Sequence, residues 1–262
     1  MRDRIALVGT YMRLAVLNEL QYRANFWGSL LEGFLGLAVA LGSLAVIFGH
    51  TDNLAGWSAM ELLALVGIYY IMSGYIQTFV QPSMERLLRD VHKGTLDFTL
   101  TKPEDAQLLV SVRAFAVWNL IYVLLRIAVV VFALALAGDA PSTGQIVAFV
   151  VTLLLGGVIV YSFWLMLATI AFWYIKIENI LVIFQSMYEA GRWPVGIYPP
   201  VLRLMLTFLV PVAFAVTVPA SALVGRVSGA ALAGTLLAAL GFFVAARLFW
   251  RRGVRAYSGA SA

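Results

Sequence analysis

Long apolar runs separated by short charged segments dominate the pattern along the chain. A helix that crosses a bilayer needs about 20 mainly apolar residues, and six runs approach or exceed that length. We therefore predict an all-α integral membrane protein with a six-helix transmembrane domain over residues 26–250. The predicted spans are residues 26–49, 62–82, 114–137, 145–174, 204–224 and 230–249.

The region between the fourth and sixth spans permits two interpretations. Residues 177–190 carry apolar side chains at helical spacing, whereas residues 204–224 are interrupted by two prolines. In the first interpretation 177–190 lie on the membrane surface and 204–224 form the fifth span. In the second, 177–190 begin the fifth span and 204–224 form a re-entrant segment, which must be buried by protein. Charge favours the first, because the second places Arg192 and Arg203 outside.

Both ends of the chain are more polar than the spans. Residues 1–25 have apolar side chains at helical spacing with arginines beside them, which predicts an amphipathic interfacial helix. A frayed cytoplasmic tail is the alternative for this segment. Residues 251–262 are predicted to form a cytoplasmic tail.

The composition is typical of a membrane protein and excludes an ordinary soluble enzyme. Of the 262 residues, 62% are hydrophobic and 12% are charged, against about 25% charged in soluble domains. The lack of cysteine excludes disulfides and cysteine-ligated metals. The sequence contains no P-loop and no His-Glu-x-x-His motif, so we expect no catalytic, cofactor-binding or metal-binding residues in this chain.

Lysine and arginine are concentrated in alternate loops. Of the 18 basic residues, 16 lie before the first span, after the second, after the fourth, or at and after the C-terminal end of the sixth, beginning with Arg247. Because positively charged loops stay in the cytoplasm, both termini are predicted to be cytoplasmic. The net charge of +5 is thus an orientation signal rather than a sign of nucleic-acid binding. Arg251, Arg252 and Arg255 are also candidates for contact with anionic membrane lipids.

The loop between the second and third spans contains a predicted short amphipathic helix over residues 83–91. Ser83 is a candidate N-cap, and Glu85 and Arg89 have the spacing of an ion pair on one helical face. Such a helix suits docking of a soluble partner. The alternative is a solvated connector that lies on the membrane.

Three motifs in this order resemble the type-2 ABC exporter permeases, in particular the six-span half-size permeases that lack a nucleotide-binding domain. The first motif, after the second span, consists of Gly94, Leu96, Asp97, Leu100, Lys102 and Pro103. The second consists of Gly191, Arg192, Pro194, Ile197, Tyr198 and Pro199. The third consists of Pro211, Ala213, Phe214, Pro219 and Ala220.

The resemblance implies a permease subunit that works with a second permease subunit, identical or paralogous, and with separate ATPase subunits. ATP and Mg²⁺ are then expected on the ATPase, and this chain is expected to hold no cofactor. The expected location is the cell membrane, which in bacteria is the inner membrane. Membrane lipids are expected partners, and nucleic acid is not. The resemblance implies that a cytoplasmic coupling helix transmits ATPase closure. Its candidates here are Met84, Glu85, Arg86, Leu87, Leu88, Arg89, Asp90 and Val91.

Two charged residues fall inside predicted spans and away from the C-terminal end of the sixth, where Arg247 lies. Arg126 lies near the middle of the third span and Glu32 in the first. A charge at the bilayer centre costs about 2.5–3.5 kcal/mol on insertion scales, so Arg126 is expected to face protein or water. We expect its guanidinium to contact either Glu32 or an anionic substrate. The alternative is that backbone carbonyls and polar side chains accept its hydrogen bonds.

A row of small residues in the sixth span, at positions 230, 234 and 238, indicates close helix packing. Packing within the subunit is favoured over a dimer interface.

Two other classes of function compete with the permease. A secondary transporter or channel needs no ATPase, but the halves of the sequence show no inverted repeat of the kind such transporters use. A membrane scaffold or an intramembrane enzyme is the second competitor, and the absence of a catalytic constellation counts against the enzyme.

Overall fold

The computed structural model describes Gly9 and residues 23–116, 119–138, 140–174 and 180–257, and this part of the chain is mainly helical. The α-helices are α1 (Arg23–Phe48), α2 (Ala59–Tyr75), α3 (Gln81–His92), α4 (Asp97–Leu100), α5 (Ala106–Val112), α6 (Asn119–Ala137), α7 (Thr143–Thr169), α8 (Ile180–Tyr188), α9 (Pro200–Leu204), α10 (Val218–Leu223) and α11 (Gly229–Ala256). Segments of π-helix cover Ile76–Val80, Met205–Leu209 and Ala213–Thr217, and 3-10 turns cover Ile170–Phe172, Glu189–Arg192 and Val195–Ile197. The predicted interfacial helix over 1–25 lies outside the described residues, apart from Gly9 and the first residues of α1.

Three continuous helices in the described part of the chain are long and apolar enough to cross a membrane. They are Ala59–His92, Thr143–Phe172 and Gly229–Ala256. A bent pair of helices, Pro200–Leu209 and Ala213–Leu223, passes the same test together. α1 and α6 contain shorter apolar helices, Phe34–Phe48 and Arg126–Leu136. The six-span arrangement as a whole stays a prediction.

Polar residues fix where the long helices begin. Ser58 and Ser142 each accept a hydrogen bond from a backbone N–H three residues on, and Glu61 and Gln145 bond back to the backbone of these serines. Two orphan donors are satisfied reciprocally at each of these helix starts. Ser228 caps α11 in the same manner, without the return bond.

α2 and α7 form the centre of the packed bundle. α2 packs on α6 and, through Met72 and Tyr75, on the two adjacent glycines of α7. α7 packs in turn on α11 and α10. Among the largest fully buried side chains are Leu62, Leu65 and Ile68 of α2 and Ile159 and Leu165 of α7.

The bundle has two ends with different polar contacts. At the loop end, which carries residues 93–113, Tyr161 of α7 and Arg247 of α11 bond to the loop. At the opposite end, where α2, α7 and α11 begin, Arg226 pairs with Glu61 at 2.6 Å. The guanidinium of Arg226 also lies over the ring of Trp57, 5.5 Å from its centroid.

Residues 204–224 are interrupted, as the two prolines of the sequence predict. The two helices that cover this region are bent by 79° at residues 210–212, a geometry that fits a broken span or a re-entrant segment. Pro211 lies at the bend, where it cannot donate a backbone hydrogen bond.

Contacts along the chain favour the second interpretation for this region. α8 begins the crossing, because Phe184 packs on Phe163 near the loop end and the Tyr188 hydroxyl donates to the Tyr69 carbonyl, deeper in the bundle. The chain leaves the core after Gly191 and returns beside it, since a Cβ at Gly191 would lie 2.5 Å from Val212 Cγ1.

From Val212 the chain continues toward the end of the bundle where α2, α7 and α11 begin. The Phe214 carbonyl lies against Gly156, about 20 Å along α7 from its start, and Gly225 lies against Gln145 at that start. These contacts favour the arrangement in which residues 192–224, the re-entrant segment, enter the bundle and leave it on the same side. In that arrangement Arg192 and Arg203 lie on the side opposite to the loop end.

The buried face of α11 differs from the predicted one. Thr235, Ala239, Ala246, Trp250 and Gly253 are buried, whereas Ala230 and Gly234 are exposed. The favoured packing of the small-residue row within the subunit is thus wrong for these two positions. α11 continues to Ala256, so the predicted tail begins as helix.

Candidate functional site: the polar loop between two membrane helices

The polar loop consists of residues 83–113, between the second and third predicted spans. It begins as a direct extension of a membrane helix. α2 passes through the π segment Ile76–Val80 into α3 without a break. A π-helix leaves the regular hydrogen-bond ladder, and here the carbonyls of Gln77 and Thr78 accept bonds from Asn119 Nδ2 at 3.3 Å and the Ala116 N–H at 3.0 Å. The loop and the membrane portion are thus one 34-residue rod.

Ser83 is not the N-cap that the sequence predicts, because the helix has already begun at Gln81. Its hydroxyl instead donates to two carbonyls, that of Ser111 in α5 at 3.0 Å and that of Ala114 at the start of the third predicted span at 2.8 Å. The apolar run that precedes Ser83 continues the helix, and this continuity overrides the local capping preference.

The coupling-helix candidates lie in α3 and divide into two faces. Met84, Leu87 and Val91 are buried against the bundle. Arg86 and Arg89 are exposed, and Arg89 pairs with Glu85 at 3.7 Å, at the predicted i,i+4 spacing. Leu88 is half-buried. One face of the helix is thus anchored and the other is free to meet a partner.

Gly94 ends α3 in a left-handed conformation. Its φ is +66°, the Thr95 N–H bonds the Asp90 carbonyl at 2.9 Å, and the Gly94 N–H bonds the Val91 carbonyl at 3.1 Å. These two bonds define a Schellman motif, which favours glycine because a Cβ is unfavourable at positive φ. The first residue of the family-like motif thus stops the helix and turns the chain.

The remaining residues of that motif form a short projecting tip. Leu96 is fully buried beneath the tip and Asp97 begins α4. Phe98 is 75% exposed at the surface of α4. Residues 101–104, which include Lys102 and Pro103, are exposed without interruption.

A first polar network fixes the tip to α3. Arg113 donates to Asp90 Oδ2 at 2.9 Å and also to the Thr99 hydroxyl. The Thr95 hydroxyl donates to Asp90 Oδ1 at 3.2 Å. Because the side chains of Arg113 and Asp90 are only 19% and 17% exposed, solvent weakens this ion pair less than a surface pair.

A second polar network joins the loop to α7 and α11. Arg247 of α11 binds both carboxylate oxygens of Asp105 and donates to Gln107 Oε1 at 2.8 Å. Gln107 donates to the Tyr161 hydroxyl of α7 at 3.4 Å, and Ser111 and Tyr161 share a bond of 2.7 Å. Asp105 also caps α5 by accepting the Leu108 N–H at 3.1 Å. The loop thus bonds side chains from two membrane helices.

The ion pair determines the protonation of Asp105. The hydrogen bond from Arg247 is the largest cause that lowers the pKa of Asp105 below its usual value. Partial burial opposes this shift, and the bond from the Leu108 backbone supports it. Asp105 is therefore a carboxylate at neutral pH, as a bidentate contact with arginine requires.

These networks give the loop a mechanical property. A rigid segment anchored to α3, α7 and α11 cannot shift without displacing those helices or breaking charge-assisted bonds. A force applied at the exposed tip therefore reaches three membrane helices together. Such a packed element is suited to switching between discrete arrangements.

The half-buried charge at Arg126 contacts α2. Its Nη1 donates to the Tyr70 carbonyl at 2.8 Å, and the guanidinium lies over the Tyr70 ring, 5.3 Å from the centroid. A backbone carbonyl therefore takes part in its environment, in agreement with one of the predicted alternatives. Glu32 lies in α1, and its side chain falls outside the described residues.

The second family-like motif covers the turn after α8. The Arg192 guanidinium lies over the Tyr69 ring, 5.5 Å from its centroid. The Tyr198 hydroxyl donates to the Ala190 carbonyl at 2.9 Å and closes the turn that contains Pro194. Pro199 precedes α9 as its N-cap residue. This motif is separated from the polar loop and lies with the re-entrant segment.

The sequence pattern alone does not single out four residues of these networks, Asp105, Arg113, Tyr161 and Arg247. Asp105 had a readable signal, because an aspartate directly before an apolar run is typical of an N-cap. The pairing with Arg247 had none, since the two residues are 142 positions apart.

Comparison with known proteins places the chain in a family context. The family model described as "ABC-2 family transporter protein" matches residues 34–261, which include the polar loop, the re-entrant segment and the last helix. No curated protein matches the chain significantly.

Proposed function

The chain belongs to the ABC-2 family of transporter proteins, and from this premise we propose that it is the permease subunit of an ATP-driven exporter. Family membership makes it a membrane transport component of the ABC type. The proposal adds the direction of transport, a separate ATPase and a second permease subunit.

The observation that carries the proposal is the exposed tip on an anchored base. Phe98 is a large aromatic side chain in a polar segment, and it is more exposed than any other large hydrophobic residue described. Lys102 and Glu104 beside it are exposed charges. An aromatic anchor within a polar rim is typical of a protein-binding surface.

We assign coupling to the free edge of α3 together with this tip. Glu85, Arg86 and Arg89 form the free edge of the 84–91 segment, and Phe98 and Lys102 extend it. An ATPase docked there moves the rod Ala59–His92 directly and moves α7 and α11 through the second polar network. The chain itself holds neither ATP nor Mg²⁺, and hydrolysis takes place on the ATPase.

A second permease subunit completes the translocation pathway in this proposal. α1 and α6 present large exposed apolar side chains, among them Leu35, Val39, Val131 and Phe132. Apolar faces of this extent are covered by lipid or by another subunit. The polar loop and both termini face the cytoplasm, because the basic residues collect at that end.

Capture of the intact complex tests the proposal. The tagged full chain, purified from its native membranes in mild detergent, is expected to recover a nucleotide-binding subunit with ATP hydrolysis activity. Phe98→Ala is expected to reduce the recovered activity about tenfold, as loss of an aromatic anchor at an interface does. Phe208→Ala is the matched control, because Phe208 is also an exposed phenylalanine and lies outside the polar loop and outside the exposed faces of α1 and α6.

The outcomes separate the function from the docking surface. If the wild-type chain recovers no ATPase and its transport is insensitive to ATP depletion, the exporter proposal is wrong. If the ATPase is recovered equally by Phe98→Ala and the wild type, the function stands and the docking surface is wrong.

A further inference from the structure

One face of α11 combines exposed aliphatic side chains with arginines at the end of the helix. Four aliphatic residues follow one another at spacings of three or four, which places them on one helical face. This aliphatic row consists of Leu237, Leu240, Val244 and Leu248, each more than half exposed. Arg251 and Arg255 continue the same spacing, and Arg252 lies beside them; all three are exposed.

An open cavity lies where the aliphatic row meets the arginines. Its volume is about 510 Å³. Its lining is half apolar and half cationic, and consists of Ala245, Leu248, Phe249, Arg251, Arg252 and Arg255. The site therefore offers an apolar wall and a guanidinium cluster to the same ligand.

The three arginines carry charge that the described part of the chain does not neutralise. None of them forms a salt bridge with another described residue, whereas Arg247, one turn earlier, is paired with Asp105. Guanidinium groups match the geometry of phosphate oxygens. The cluster therefore selects for an anionic, phosphate-bearing group.

The length of the aliphatic row indicates the rest of the ligand. The row runs from Leu237 to Leu248, a rise of about 16 Å, close to the hydrocarbon half-thickness of a bilayer, about 15 Å. Trp173 packs on Phe249 with ring centroids 5.2 Å apart, between the row and the arginines. Tryptophan is enriched at the level where hydrocarbon meets headgroups, so the arginines lie at headgroup depth.

We propose that this face of α11 is a binding site for an anionic phospholipid. The phosphate bonds Arg251, Arg252 and Arg255, and an acyl chain lies along the aliphatic row. The occupant is a lipid rather than a soluble phosphate, because only a ligand with an acyl chain covers the exposed aliphatic row below the arginines. The site goes beyond the exporter proposal and does not depend on an ATPase.

Lipid titration of the purified chain tests the site. The delipidated full chain in mild detergent is titrated with phosphatidylglycerol or phosphatidylcholine, and bound lipid is counted by native mass spectrometry. Each arginine near a membrane surface contributes roughly fivefold in affinity. The triple variant R251Q/R252Q/R255Q is therefore expected to lose phosphatidylglycerol affinity on the order of 100-fold, with phosphatidylcholine binding unchanged.

A matched triple variant controls for general charge. R86Q/R89Q/K93Q removes three exposed cations from the same end of the bundle, and it is expected to keep wild-type lipid affinity. Equal losses in both triple variants, or no loss in the first, overturn the proposal. If R251Q/R252Q/R255Q fails to fold, judged by size-exclusion chromatography, the three single variants supply the same test at roughly fivefold each.

Two further measurements distinguish other occupants of this face. Glycerol phosphate that displaces phosphatidylglycerol at equal concentration identifies a soluble-phosphate site and overturns the lipid assignment. A Leu240→Cys variant that forms disulfide dimers in native membranes assigns the face to a second copy of the chain, which also overturns it. The chain contains no other cysteine, so such a cross-link has one interpretation.

Discussion

At the scale of single residues, Asp105 performs two structural tasks with one carboxylate. It caps α5 through the Leu108 N–H, and it receives both guanidinium nitrogens of Arg247. The cap orients the carboxylate toward α11, so the local helix signal prepares the long-range ion pair. A neutral amide at this position keeps part of the cap and loses the charge.

The Asp105→Asn variant is expected to lower the free energy of unfolding by about 1 kcal/mol at neutral pH. The pKa of Asp105 is lowered in the folded protein, so its stabilisation is complete above the unfolded pKa of about 3.9 and is lost as pH falls through the folded pKa. Thermal unfolding in detergent from pH 7 downward measures the difference between the two proteins. Glu104→Gln is the control, and a difference that persists unchanged below the folded pKa contradicts the ion-pair explanation.

Gly94 is the second residue whose role is specific. A Cβ in the left-handed conformation costs roughly 1 kcal/mol, so Gly94→Ala is expected to destabilise the loop by that amount. Hydrogen exchange at residues 90–100 is expected to become faster, while exchange in α7 stays unchanged. Thr101→Ala, on the exposed tip, is the control. Unchanged exchange in the loop of Gly94→Ala contradicts the role of the Schellman motif.

At the scale of elements, the re-entrant segment depends on a close contact at its base. Gly191 lies where the chain leaves the core, and Val212 lies where it returns. The approach leaves no room for a side chain at position 191. The base of the segment is thus a packed contact between its two ends.

Gly191→Ala is expected to destabilise the segment by about 1–3 kcal/mol, the usual cost of overpacking. The double variant Gly191→Ala/Val212→Ala removes the methyl group at Cγ1 and is expected to recover a large part of the loss. Thermal unfolding of the single and double variants measures the coupling between the two positions. Strictly additive effects contradict the contact, because residues that touch show coupling in such cycles.

At the scale of the whole molecule, apolar length predicts where long helices occur. The sequence predicts spans over 145–174 and 230–249, and the structure has apolar helices over Thr143–Phe172 and Gly229–Ala256. In the region after the fourth span, charge favours 204–224 as the fifth span, whereas the contacts of Gly191 and Gly225 favour the re-entrant arrangement. The guanidinium of Arg192 lies over the ring of Tyr69, a long-range contact that its charge alone does not predict.

The polar loop shows a different limit of sequence analysis. Its helical segment and its exposed ion pair are local, and local spacing predicts them. The two networks join residues that are distant in sequence, such as Asp105 and Arg247. Without the three-dimensional arrangement, nothing in the spacing of these residues indicates that they meet.

Side-specific labelling tests the arrangement of the whole chain. Because the chain has no cysteine, a membrane-impermeant maleimide reports single introduced cysteines without background. Val201→Cys, on the re-entrant segment, is expected to react from the same side as Ser228→Cys and from the side opposite to Lys102→Cys. All three positions are exposed. Reaction of Val201→Cys from the Lys102→Cys side contradicts the re-entrant arrangement and restores 204–224 as a span.

The bond between Asp105 and Arg247 also sets an order of events during synthesis. The two residues are 142 positions apart, and ribosomes add about 5–20 residues per second. Arg247 therefore follows Asp105 by roughly 7–28 s, during which the loop lacks its link to the last helix. Until α11 has been synthesised, the carboxylate of Asp105 has no partner on that helix, so a nascent chain that stops before Arg247 has a loop without this anchor.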